Sequence, residues 1–114
     1  WHGKERGFNM KDRLYIRATE SGFYSIHTED SFEPICGYMT EQRDALRAKT
    51  VLEIALSDSD TVYHCRDTLA QWIASLRWDA RELSQYGETR ARACALRDLC
   101  DLAESRLLAV TRPR

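Results

Sequence analysis

Two groups of residues in this chain have the chemistry to act on another molecule. The first is an aromatic and arginine cluster made of Tyr63, Arg66, Arg77, Trp78 and Arg81. Rings set between guanidinium groups stack on nucleic-acid bases, and Trp, Tyr and Arg are the residue types enriched at protein-interface hot spots. At helical spacing, Ala70 and Ala74 fall between Tyr63 and Trp78 as a floor of small residues, with Arg77 and Arg81 at the rim. Those seven residues are the expected partner-binding set.

The second group is titratable. A hydrolytic triad needs a nucleophile, a base and an orienting acid. The chain offers His27, His64, several serines and many carboxylates, but no nucleophile elbow and no phosphate-cradling glycine loop. Asp98, Asp101 and Glu104 are spaced to share a helix face. Arg97 precedes Asp101 by four residues, which is ordinary surface pairing on a helix. The expectation is therefore no catalytic residue.

The four cysteines are Cys36, Cys65, Cys94 and Cys100, with no C-x-x-C pair among them. Zinc-ligand spacings that would recruit His27 or His64 are missing. Cys65 and Cys100 occupy apolar helical positions, where free cysteine behaves as a small hydrophobe. They are read as reduced thiols in a cytoplasmic setting, and the chain calls for no metal and no cofactor.

Composition sets further limits. With 114 residues, 43% hydrophobic and 31% charged, the chain suits one modest core. The net charge of −1 argues against an obligate electrostatic nucleic-acid binder, while leaving room for a local basic face. No window approaches the roughly 18 apolar residues of a membrane span.

The elements that must position the cluster follow from periodicity. Residues 1–9 carry Gly3 and Gly7 without periodicity ahead of Met10, and are read as a disordered leader or vector-derived segment outside a single domain of residues 10–114. Arg13 to Thr19 and Phe23 to Thr28 alternate around Gly22, which predicts an antiparallel β-hairpin with His27 on its surface. Phe32 to Met39 is a loop or a third short strand. Thr40 is the expected N-cap of a helix buried along Ala45, Ala48, Leu52 and Ala55, with the β-branched run at 50–54 blurring its end.

A central helix is expected from about Asp60 to Tyr86, capped by the preceding Ser57-Asp58-Ser59 and ended by Gly87. Its first stripe is Val62, Cys65, Leu69, Trp72, Ile73, Leu76, Ala80 and Leu83; its second is Tyr63, Ala70, Ala74 and Trp78. Two stripes imply two neighbours. The hairpin is expected on the second stripe, half burying Trp78 and leaving Arg77 and Arg81 at the surface. The last helix, from about Glu88 to about Val110, repeats Ala93, Leu96, Cys100, Ala103, Leu107 and Val110 like a heptad seam. That seam serves an antiparallel helical hairpin with the central helix, or alternatively a homodimer.

These readings give an α+β fold: an N-terminal hairpin packed on three helices, the last two forming a helical hairpin. They point to a non-catalytic protein-interaction domain that occupies the surface of another protein. Small bacterial or phage inhibitors and regulators of the immunity, antitoxin or anti-defence type have this profile. A nucleic-acid-binding regulator using the arginine and aromatic face is the alternative, and a membrane partner is not expected.

Overall fold

The computed structural model describes residues 14–29, 33–36 and 39–112. The expected leader and Met10 lie outside the described residues, as do Phe32, Gly37 and Tyr38 in the connector.

The hairpin forms as its alternation predicts. Strand β1 (Tyr15–Ala18) pairs antiparallel with β2 (Tyr24–His27), setting Tyr15 opposite His27 and Ile16 opposite Ile26. Gly22 takes φ +88°, a left-handed conformation that costs glycine little. The Thr19 hydroxyl accepts the Phe23 N–H at 3.0 Å and tightens the same turn. The connector adds a single bridge to β2: Tyr24 and Met39 exchange backbone hydrogen bonds at 2.7 and 2.8 Å. The Ile35 N–H also donates to the Ile26 carbonyl at 2.8 Å, so among the described residues the connector gives β2 one bridge and one further hydrogen bond but no third strand.

Helix α1 (Gln42–Ala55) begins after Glu41, which stands at the N-cap without a side-chain bond, so Thr40 is not the cap. Asp44 occupies its first turn, where the helix dipole favours a carboxylate. The helix continues through its β-branched run because Val51 and Leu52 are buried there, and packing outweighs propensity. The Ser57 hydroxyl satisfies the Glu53 and Ile54 carbonyls at 2.8 and 2.7 Å, and the chain just beyond is tied from afar. Arg106 donates to the Ala55 carbonyl at 3.1 Å and to the Ser57 carbonyl at 2.9 Å.

The expected central helix is two helices. Helix α2 (Ser59–His64) is capped by Asp58, whose carboxylate accepts the Thr61 N–H at 2.8 Å. Cys65 departs from helical geometry at φ −99° and ψ 15°, and α3 (Arg66–Leu83) starts beyond it. The break lets α2 pack against α4 separately from α3. Gly87 does not act as a left-handed terminator; it opens a 3₁₀ turn, Gly87–Thr89. The end of α3 is held instead by the Thr89 hydroxyl, which donates to the Leu83 carbonyl at 2.6 Å. Helix α4 (Arg90–Thr111) then returns along α3 as the second arm of a helical hairpin.

The core joins all the layers. Leu14 and Ile26 of the hairpin, Leu52 of α1, Val62 of α2, Leu69 of α3 and Leu96 of α4 are fully buried in one cluster. Of the expected seam of α4, Leu96, Cys100 and Ala103 are inaccessible inside this cluster and Ala93 is inaccessible beside it, while Leu107 and Val110 are half-buried against it. Among the described residues, however, the hairpin packs on α1 rather than on α3. That corrects the expected layering: α1 is the helix with neighbours on several sides, and one long face of α3 is left without cover by the described residues. Among those residues, no helix is long and apolar enough to cross a membrane.

Candidate functional site

At roughly 100° per residue, Arg66, Ala70, Ala74, Arg77, Trp78 and Arg81 fall within about 120° of one another on α3. The adjoining arc, centred about 110° away, carries Leu69, Ile73, Leu76 and Ala80, all buried. The division follows directly from the two stripes in the sequence. Only one of them found a neighbour among the described residues. Trp78 is 57% exposed and Tyr63 is 51% exposed, so the expected half-burial of Trp78 beneath the hairpin does not occur. Ala70 and Ala74 are exposed as well, which leaves the small-residue floor open.

The arginines divide into structural and stacked. Arg77 donates to Glu104 at 2.6 Å and to Asp101 at 3.0 Å, tying α3 to α4. Its bonds to Asp101 and Glu104 raise its pKa above the ordinary guanidinium value. Arg66 has no such carboxylate among the described residues. Its guanidinium lies 4.1 Å from the Tyr63 ring centroid and donates to the Tyr63 carbonyl at 2.7 Å. The Arg81 guanidinium stands 5.8 Å from the Trp78 ring centroid. Stacked guanidinium groups keep their hydrogen-bonding edge available, and the ring pre-orders a side chain that otherwise loses much rotamer freedom on binding.

Six of the seven expected residues share one side of α3, with Arg66 and Arg77 half-buried and the other four exposed, and Tyr63 joins them from the last turn of α2 through Arg66. The Cys65 break does not remove Tyr63 from the set, because Arg66 ties it to the start of α3.

The titratable groups are arranged differently. His27 was expected on the hairpin surface and is 3% exposed. Its Nε2 lies 2.8 Å from the Ser25 hydroxyl, and Tyr15 stacks on the ring with centroids 5.7 Å apart. This is nucleophile-to-base distance. Yet both side chains are buried, and Nδ1 has no hydrogen-bond partner among the described residues, so none of those residues is an acid that orients the ring.

Asp98, Asp101 and Glu104 do not combine into a carboxylate site, since two of the three serve Arg77. All four cysteines are free thiols. Burial, with a smaller contribution from Asp98, pushes Cys36 up to about 11; burial likewise pushes Cys100 up to about 11. Among the described residues, no group of three or more His, Cys, Asp or Glu side chains converges as metal ligands would.

Two hollows flank α1. One of about 260 Å³ lies against α3 and is walled by Val51, Trp72 and Leu76 with Arg47 at its edge. The other, about 310 Å³, is lined by Arg43, Arg47 and Arg92 against Asp79 and Glu82. The first is at or below the size at which pockets enclose small ligands. In the second the opposing charges already pair, Arg47 with Asp79 at 2.6 Å.

Compared with known proteins, the chain matches no family model, no curated protein and no solved structure.

Several structural residues had no local signature. The buried Asp44–Arg92 bridge and the Arg106 cap of α1 join positions about fifty apart in sequence. The one available hint was the type of residue: an acid inside an apolar helical stripe requires a partner.

Proposed function

We propose that this protein is a non-catalytic interaction domain that works by placing the exposed face of α3 against another protein surface. The observation that carries this reading is Trp78, the largest side-chain type, standing 57% exposed on an ordered helix beside an open alanine floor. Isolated exposed apolar residues are common and mean little. Here two aromatic rings, two small residues and two ring-stacked guanidinium groups share one face, which is the make-up of an interface hot spot. A small inhibitor or regulator acts in this way, by covering a surface that its partner needs.

Direct nucleic-acid binding is the second reading, favoured by the two ring-stacked arginines Arg66 and Arg81. It is weakened by Arg77, which stands between them along α3 and is already neutralised by Asp101 and Glu104. Asp67 and Glu82 add negative charge on the same helix, so the face is no continuous track for phosphates.

Affinity capture from the cells that make the protein, with wild type and a Tyr63→Ala/Trp78→Ala variant side by side, tests the proposal. Proteins retained by wild type and lost by the variant support it. Retention of nucleic acid that falls steeply with salt would transfer the assignment to the second reading.

A further inference from the structure

Helices α1 and α3 each pack more closely on α4 than on each other. The gap this leaves between them is the hollow of about 260 Å³ lined by Arg47, Thr50 and Val51 of α1 and by Trp72, Ser75 and Leu76 of α3. Both sets have the spacing i, i+3 and i+4, so each is one edge of its helix turned toward the other. Trp72 and Ser75 lie roughly 150° round α3 from the middle of the face that carries Trp78. The hollow is therefore separate from the proposed protein interface.

Its lining combines an apolar floor with unshared polar groups. Val51 and Leu76 are buried, and Trp72 is half-buried against the core. The Ser75 hydroxyl and the Trp72 indole N–H bond to no other described residue. Thr50 spends its hydroxyl proton on the Leu46 carbonyl at 3.0 Å, which leaves its lone pairs open. Arg47 donates from Nη2 to Asp79 at 2.6 Å, and its Nη1 is 3.9 Å from Asp44, too far for a hydrogen bond. A guanidinium has five N–H donors, so most of this one stays available.

Charge and size narrow what fits. Arg47 is the one charged residue in the lining, and Asp79 and Asp44 already balance it. An anion would compete with Asp79 for the guanidinium, and a cation would find no carboxylate in the lining. An uncharged molecule suits the site, with an oxygen to accept from the spare donors. An enclosed apolar cavity of about 150 Å³ holds benzene, while drug-sized ligands take about 300 Å³ or more. This hollow falls between them, at the size of one ring with a small substituent. The Trp72 ring favours an aromatic one, through offset or edge-on packing.

We infer that the hollow between α1 and α3 binds an uncharged, single-ring aromatic compound bearing a carbonyl oxygen. The ring sits between Trp72 and the Val51–Leu76 floor, and the carbonyl accepts from Arg47 or Ser75.

Benzamide, benzoate and cyclohexanecarboxamide, titrated separately into the isotope-labelled full chain and followed by amide NMR shifts, test this. Benzamide should give saturating shifts confined to residues 47–51 and 72–76, with a dissociation constant of about 1 mM or lower. Benzoate keeps the shape but adds charge, and cyclohexanecarboxamide keeps the amide but loses the aromatic ring. Each should bind at least about 10-fold more weakly. Ser75→Leu fills the hollow from α3, and Thr50→Leu fills it from α1. Each should weaken benzamide by at least about 10-fold, with a thermal melt no lower than that of wild type. Because the two act from opposite walls, one folded variant is enough to decide.

The inference is overturned if benzamide gives no saturating shifts at about 20 mM, or shifts centred elsewhere. Benzamide binding that persists in a folded filled variant also overturns it. Benzoate binding as tightly as benzamide refutes the uncharged class, and cyclohexanecarboxamide doing so refutes the aromatic one.

Discussion

The Arg92 guanidinium grips the Asp44 carboxylate with two hydrogen bonds, Nε to Oδ2 at 2.8 Å and Nη2 to Oδ1 at 3.1 Å. Asp44 is 2% exposed, in the first turn of α1, and Arg92 is in the first turn of α4. The pair pins the two helix starts together, while Arg106 ties α4 to the far end of α1. The scaffold behind the α3 face is thus fixed at both ends.

Removing one member of that pair should be costly. Arg92→Ala leaves a buried carboxylate with Arg47, 3.9 Å away, as the remaining cation to compensate among the described residues. The expected loss is about 3–5 kcal/mol of folding free energy, read by urea denaturation. Replacing both residues with leucine should cost clearly less than Arg92→Ala alone, because no buried charge is then stranded.

Core and face should respond in opposite ways. Leu69 is fully buried on α3, and Leu69→Ala should cost about 2–5 kcal/mol. Trp78→Ala, nine residues along the same helix, should change stability by no more than about 0.5 kcal/mol despite deleting a larger side chain. Equilibrium unfolding of the two variants under dilute conditions checks the contrast.

That contrast marks how much was legible in the sequence. The hairpin, the three helical regions and the α3–α4 hairpin all follow from periodicity, because alternation and the 3.6-residue repeat are local properties. The buried stripe of α3 was equally plain. What periodicity does not reveal is which neighbour covers a second apolar stripe. The hairpin needed a packing surface, and α1 supplied it, so Trp78 stayed in solvent. The Cys65 break was hidden because Val62 and Leu69 are both buried, as an unbroken helix would place them. His27 sits on an alternating strand, and alternation assigns one face to solvent; here Ser25 and His27 are buried on the face opposite Ile26. The seven face residues were legible as a group because they are close in sequence.

Arg106 should act as a cap delivered from a distance. Arg106→Ala removes the donors to the Ala55 and Ser57 carbonyls and should cost about 1–3 kcal/mol, the range for stranding partly buried acceptors. Arg106→Lys, which lacks the planar fork, should recover only part of the loss in the same denaturation assay.

Stability should fall in alkali through the buried thiols. Cys36 and Cys100 are raised from 9.0 to about 11 in the folded chain. Below pH 9 both states hold these protons and the contribution is intact. Between pH 9 and about 11 the unfolded chain releases them first, so it binds fewer protons and stability declines as pH rises. Urea midpoints compared across that window should drop more for wild type than for Cys100→Ala, whose slope lacks one of the two thiols.

As proposed, the exposed Trp78 marks a surface for another protein chain. The direct measurement is to replace Trp78 with a photo-crosslinking phenylalanine derivative in the cells that make the protein. Leu46 is also exposed, but lies on α1, and serves as the control position. Irradiation should give protein–protein adducts from position 78 and few from position 46. Equal adduct patterns from the two positions, or adducts to nucleic acid alone, would contradict the account.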